Sequence, residues 1–283
     1  MGSKVWFITG TSKGFGRVWA EAALARGDRV AATARNASTL APLVERYGDQ
    51  VAAFSLDVTR KAEVNQVIAQ AHERFGRLDV IVNNAGYGLF GTIEEVSEAE
   101  ARAQIETNLF GALWVTQAAL PILRAQRSGH ILQVSSVGGV NAFPTIGLYH
   151  ASKWGLEGFS QSLAQEVAEF GIKVTLIEPG GFSTDWGGPS AVRAKQMPEY
   201  DGARAAMAAV RSASWAAPGD PAATGSVILK IVDVPEPPLR LFLGPSGLPV
   251  TRAEYARRIE TWEKWNDLSI EAQGTASSDA NRR

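Results

Sequence analysis

Short apolar runs alternate with amphipathic stretches along most of the chain. Residues 4–9 hold Val5, Trp6, Phe7 and Ile8 in succession, the mark of a short strand buried on both faces. Residues 14–26 place Phe15, Val18, Trp19, Ala22 and Ala23 on one side of a helix, with Gly27 as its stop. Apolar strands follow at 29–33, 51–56, 79–82, 130–134, 172–177 and 238–243. Helical periodicity fills the gaps between them. Ser38 is expected to cap a helix that Gly48 ends, and another helix spans 60–75 before Gly76. Ser97 and Glu100 read as a capping box that opens a long helix to about residue 126, which Pro121 should kink or restart. Further helices are predicted over 149–170, 201–215 and 220–231.

Strands that alternate with helices in this way predict an α/β protein. Its parallel sheet should be doubly wound, with helices on both faces. No internal repeat and no Pro/Gly-rich linker precedes residue 230, so residues 1–250 read as one domain. Residues 251–283 read as an extension: Tyr255, Ile259, Trp262 and Trp265 have helical spacing, and 273–283 are small, polar and expected to be disordered.

Composition narrows the function. Formal net charge is −1 with no basic block, which offers no footprint for nucleic acid or an anionic membrane. Cysteine is absent, so disulfides and thiolate metal sites are excluded, and no metal site is expected. The most apolar segment, 109–123, is interrupted by Gln117 and Pro121 and does not read as a membrane span. The first strand begins by Lys4, which leaves no room for a signal peptide, and a cytoplasmic location is expected.

The first strand runs into Thr9-Gly10-Thr11-Ser12-Lys13-Gly14-Phe15-Gly16 and then a helix. Glycines in such a strand–turn–helix let the backbone approach a pyrophosphate, which then sits on the helix N-terminus. The end of the second strand lacks the acid that would bind an NAD ribose. It carries Arg35 instead, and Lys13 lies in the glycine turn. Two cations and no acid favour the 2′-phosphate of NADP over NAD.

Tyr149 and Lys153 are four residues apart in a predicted helix and share one face. An ammonium there would favour the phenolate and lower the phenol's pKa from about 10. Such a phenol can exchange a proton near neutral pH. Ser135 and Ser136 both lie where a hydroxyl could reach the same substrate oxygen.

Together these residues resemble the short-chain dehydrogenase/reductase superfamily in its ordinary single-domain, Rossmann-type form, over about residues 4–245. Thr9 to Gly16 matches the family's cofactor turn, and Asp57, followed by Val58, matches the residue at the adenine. Asn83-Asn84-Ala85-Gly86 matches the segment after the fourth strand. Asn108, Ser136, Tyr149 and Lys153 match the catalytic set. The thirteen-residue spacing from Ser136 to Tyr149 selects Ser136 over Ser135. Pro179, Gly180, Phe182 and Thr184 match the turn at the nicotinamide. The segment 237–244 and the helix with Trp262 are similar to the branch labelled 17β-hydroxysteroid-dehydrogenase-like, a label of sequence similarity that does not fix the substrate.

The resemblance implies reversible reduction of a ketone or aldehyde with NADPH, using its 4-pro-S hydride. Ser136 would hold the carbonyl oxygen, Tyr149 would give the proton, Lys153 would bond the nicotinamide ribose, and Asn108 would place a water beside Lys153. Tyr87, Val137, Phe143, Trp186, Met197 and Tyr200 are candidate pocket walls and suggest an apolar or aromatic substrate. Residues 182–215 read as a lid that orders on binding. A homodimer or homotetramer is implied, with Leu113, Trp114, Phe159 and Leu163 as possible contacts. The same scaffold also admits an NADP-binding sensor without turnover, or an epimerase or dehydratase.

Overall fold

The computed structural model describes residues 2–214 and 217–274. Seven parallel strands form its main sheet. They are β1 (Val5–Ile8), β2 (Arg29–Ala34), β3 (Val51–Ser55), β4 (Val80–Asn83), β5 (Gly129–Val134), β6 (Ile172–Pro179) and β7 (Arg240–Leu243). Their spatial order is β3-β2-β1-β4-β5-β6-β7. Trp6 of β1 pairs with Val30 on one side and Val80 on the other. Strand order reverses between β1 and β4, so the loops after these strands open side by side. Ligands of open α/β sheets bind in the crevice at such a switch point.

The helices are α1 (Gly14–Ala25), α2 (Ala41–Tyr47), α3 (Lys61–Phe75), α4 (Glu98–Ile105), α5 (Gly111–Gln126), α6 (Gly147–Glu166), α7 (Asp201–Ser214), α8 (Thr224–Asp233), α9 (Gly247–Lys264) and α10 (Asn266–Glu271). Trp19 and Leu24 of α1 meet Ile228 and Ile231 of α8 over one sheet face, on Ile8, Val30 and Val82. Ile68 of α3, Val115 and Leu123 of α5, and Leu163 of α6 cover the other, on Phe7, Ile81 and Ile131. Each such side chain, fully buried, contributes about 1.5–3 kcal/mol, and two dry faces explain why the strands read as continuous apolar runs.

The structure departs from the sequence expectations in several places. Asn36, rather than Ser38, caps the turn before α2: its side chain accepts from the Ser38 backbone N–H at 3.0 Å. Asparagine two residues ahead forms the tighter local bond to its own backbone. The Ser97–Glu100 capping box is present, but the expected single helix is divided by a π-helical turn over Glu106–Phe110. α5 runs through Pro121 to Gln126, so no new helix begins there. A two-residue ribbon pairs Leu89–Phe90 with Val192–Arg193; runs this short carry no periodicity to read. The C-terminal helix starts at Gly247, and Asn141 Nδ2 donates to Thr251 Oγ1 at 2.7 Å to hold it on the body. Residue 215 of the expected helix and residues 275–283 of the expected disordered tail lie outside the described residues.

Candidate active site

The glycine turn after β1 is built for close approach. Gly10 has φ +69°, a conformation that favours glycine. A Cβ at Gly16 would come within 2.5 Å of Asn84 Nδ2. Asn84 donates from that nitrogen to the Thr9 and Gly10 carbonyls at 2.8 and 3.0 Å, which ties the turn to the β4 loop. Thr9 reinforces the tie, because its hydroxyl oxygen accepts from the Asn84 and Ala85 backbone N–H groups, both at 2.9 Å. Sequence reading left the role of Thr9 unassigned. Lys13 is the N-cap of α1 and uses no side-chain cap, and Gly14 has open space where a Cβ would stand. Phe15 stacks on Trp19 at 5.3 Å and meets the edge of Phe182 at 5.2 Å. Both phenylalanines therefore brace the turn against the core.

The cations expected at a ribose phosphate differ in their engagement. Arg35 is exposed, and no ion pair holds it among the described residues. The Lys13 ammonium instead pairs with Asp185 at 3.2 Å, joining the glycine turn to the segment after β6. Asp57 accepts from the Thr59 N–H at 3.0 Å and from its hydroxyl at 2.8 Å, and Val58 is buried beside it. Gly180 donates its N–H to the Leu243 carbonyl at 3.0 Å, which fixes the turn after Pro179 to β7. Thr184 caps the short turn Asp185–Gly187.

The π-helical turn carries Asn108 into the interior, where it is buried. Its Oδ1 accepts from the Tyr87 N–H at 3.1 Å, while Nδ2 donates to the Tyr87 carbonyl at 3.0 Å and to Ser152 Oγ at 3.2 Å. Its amide thus fixes the backbone at Tyr87. A Cβ at Gly86 would lie 3.1 Å from Asn108 Oδ1 and 3.8 Å from Lys153 Nζ, so all three meet in one place.

Tyr149 and Lys153 are both buried on α6. The Lys153 ammonium donates to the Val134 carbonyl at 2.7 Å and lies 5.8 Å from the Tyr149 ring centre. Burial pushes Lys153 down to about 8, against the opposing charge of Glu157. Burial also pushes Tyr149 up to about 12, and a hydrogen bond with Ser136 opposes it. This corrects the expectation of a lowered phenol. Desolvation penalises the phenolate more than a lysine whose ammonium is turned to a carbonyl can recover.

Ser136 follows β5 in extended conformation, and its Oγ accepts from the Gly138 N–H at 3.0 Å. Ser135 Oγ is buried and points elsewhere, toward Gly139 and Glu157. His150 fixes the loop between them: Nδ1 bonds the Gly138 carbonyl at 2.8 Å, and Nε2 accepts from the Phe143 N–H at 2.9 Å.

Among the candidate walls, Trp186 is in contact with the tyrosine. Its ring meets Tyr149 edge-on at 4.9 Å and Phe90 at 5.3 Å. Val137 is buried in the Ser136 loop, Phe143 sits at 5.6 Å from the His150 ring, and Tyr87 is held through its backbone by Asn108. Met197 and Tyr200 belong to a separate anchor. Glu95 accepts from the Met197 N–H at 2.8 Å and from Arg204, and the Tyr200 hydroxyl donates to Glu94. Those backbone bonds, from Met197 first and then Thr92, pull Glu95 down to about 2. This anchor is a network that sequence reading missed, because its members are a hundred residues apart in the chain.

Residues 4–193 match the family model of the short chain dehydrogenases. The chain belongs to the short-chain dehydrogenase/reductase family, and it is an oxidoreductase of that family. Its sequence is 43% identical over 270 residues to Oxidoreductase BOA17 of Botryotinia fuckeliana, covering 95% of this chain and 98% of the relative. It is 35% identical over 271 residues to a 3-ketodihydrosphingosine reductase of Bacteroides thetaiotaomicron, covering 92% and 98%. A short-chain dehydrogenase from Streptomyces avermitilis has the same fold with a TM-score of 0.89, at 39% identity over 96% of this chain and 98% of that one. Solved neighbours in this fold hold NADP or NAD. No helix among the described residues is long and apolar enough to cross a membrane, and no cluster of His, Cys, Asp and Glu there could hold a metal ion.

Proposed function

We propose that the protein reduces a ketone or aldehyde to an alcohol with NADPH, reversibly, and that Tyr149 is the proton donor. The observation that carries this reading is the buried phenol of Tyr149, with Lys153 on the same helix face and its ammonium 5.8 Å from the phenol ring centre. A phenol held at about 12 stays protonated throughout the neutral range, as a donor must.

The residues fit a dinucleotide. The turn from Gly10 through Ser12 and Gly14 to Gly16 leaves its backbone open at the N-terminus of α1, where a pyrophosphate is favoured. Arg35 would take a 2′-phosphate, Asp57 and Val58 would border the adenine, and Asn84 to Gly86 with Pro179 to Thr184 would frame the nicotinamide. When bound, the dinucleotide supplies the hydride. Ser136 holds the carbonyl oxygen and offsets its developing negative charge. Tyr149 gives that oxygen its proton through the phenolic O–H. Lys153, cationic below about 8, stabilises the phenolate that remains.

Trp186 against the phenol, with Phe90 against Trp186, favours an apolar or aromatic carbonyl compound. The Bacteroides relative, a reductase of a 3-keto compound, supports a ketone as the reacting group. Phe110, exposed and stacked at 5.7 Å on Trp114, supports association of copies through the α5 face, whereas Leu163 is core. The test of function is NADPH oxidation across a panel of ketones and aldehydes, with NADH in parallel. Turnover that prefers NADPH is expected. Tight NADPH binding without oxidation by any carbonyl would sink the proposal in favour of a sensor.

A further inference from the structure

Below Lys153 lies a buried acidic cluster that the catalytic reading leaves unused. Glu157, one turn along α6, and Glu178, at the end of β6, are both buried. One guanidinium reaches both. Arg240 of β7 donates from Nε to Glu157 Oε2 at 2.8 Å, lies 3.6 Å from Glu178 Oε1, and spends Nη2 on Gln161 at 2.8 Å. The remaining oxygens, Glu157 Oε1 and both of Glu178, are buried without a hydrogen-bond partner. So are the hydroxyls of Ser135 and Ser160. A Cβ at Gly139 would lie 3.1 Å from Glu157 Oε1 and collide with Ser135 Oγ, so these groups crowd one space.

Carboxylate oxygens buried in a dry site with no donor to bond them are costly to keep charged, and three oxygens of this pair are in that state. Paired acids in such a place relieve it by keeping one proton between them. The proton also satisfies an otherwise orphaned oxygen, because a carboxylic acid donates where a carboxylate cannot. We propose that Glu157 and Glu178 share one proton, and that this pair, clamped by Arg240, is a positioning device that sets the charge state of Lys153. Burial and the neighbouring Glu157 carboxylate hold Glu178 well above the usual carboxylate range, which makes it the proton's carrier.

Glu157 then remains the anion. It stands four residues from Lys153 on the same helix face, where its charge favours the ammonium that burial alone would neutralise. The groups that face the pair are Lys153 and Gln161 from α6, Arg240 from β7, and Ser135 after β5. The proposal rests on the reading of Lys153 as a catalytic group.

The experiment uses the whole protein labelled with ¹³C at glutamate carboxyls and lysine Cε, titrated by NMR. One glutamate should titrate well above the ordinary range, and the signal should vanish in Glu178→Gln. Glu157→Gln should lower the Lys153 midpoint by about one pH unit, a tenfold change, whereas Glu178→Gln should not lower it. If every wild-type glutamate titrates in the ordinary range, the shared proton is refuted, and this result needs no variant to fold. A Lys153 midpoint unmoved by Glu157→Gln refutes the positioning role. Both readouts are independent of turnover. If the midpoint moves as expected while the pH profile of carbonyl reduction does not, the catalytic reading of Lys153 fails and the carboxyl pair stands.

Discussion

Trp186 meets Tyr149 edge-on, with ring centres 4.9 Å apart. The indole comes from the loop after β6 and the phenol from α6, so the contact makes a loop residue part of the phenol's environment. Trp186→Ala should remove part of the burial that holds Tyr149 up at about 12. The phenol itself, followed by its ultraviolet absorbance as the difference between proteins with and without Tyr149, should then ionise about one pH unit lower, and KM for apolar ketones should rise. NADPH affinity, measured by fluorescence titration, should stay within about twofold if only the substrate side is touched. An unmoved phenol titration would show that the contact has no bearing on the phenol.

The cofactor choice rests on Arg35 more than on Lys13, whose charge Asp185 already engages at 3.2 Å. A hydrogen bond to a charged group contributes about 1.5–3 kcal/mol, so Arg35→Ala should weaken NADPH binding at least about tenfold. NADH binding should be nearly unchanged. Lys13→Ala should cost less, because its ion pair must be given up before a phosphate gains it. Equal losses for both cofactors on Arg35→Ala, read by calorimetry, would remove the argument from charge.

His130 supplies a prediction about stability. Its Nε2 bonds Thr175 Oγ1 at 2.9 Å while Nδ1 is buried without a partner, and burial, with Lys173 and Lys4 adding, pushes it down to about 3. The folded value lies below the unfolded one, near 6.5, so the neutral ring's contribution is full above that value. It is lost as pH falls toward about 3, at up to about 1.4 kcal/mol per pH unit. His130→Gln keeps a donor for Thr175 and removes the titration. Denaturant melts between pH 6 and 4 should therefore show a shallower acid slope in the variant. Parallel slopes would contradict the assignment.

Much of the architecture was legible because both sheet faces are dry. Continuous apolar runs such as Val5–Ile8 mark strands of a parallel sheet, and all seven expected strands are present. The pair Tyr149 and Lys153 was legible because helical spacing puts them on one face. Its electrostatics were not: spacing reveals a neighbour, but the burial that raises the phenol depends on the whole fold. The π-helical turn at Asn108 leaves the apolar pattern of its helix intact and so gave no sign. Glu157 and Glu178 both lie in the interior, and nothing in the sequence marks them, since only the approach of β7 brings Arg240 to them.

The most direct test of the central claim is single-turnover reduction by Tyr149→Phe, with any carbonyl compound that the wild type reduces and with NADPH prebound. Phenylalanine keeps the ring against Trp186 and removes the proton. NADPH affinity should remain within about threefold, and the reduction rate should fall at least about a hundredfold, the usual scale of a lost general acid. A variant that binds NADPH and reduces the carbonyl at the wild-type rate would show that Tyr149 is not the proton donor.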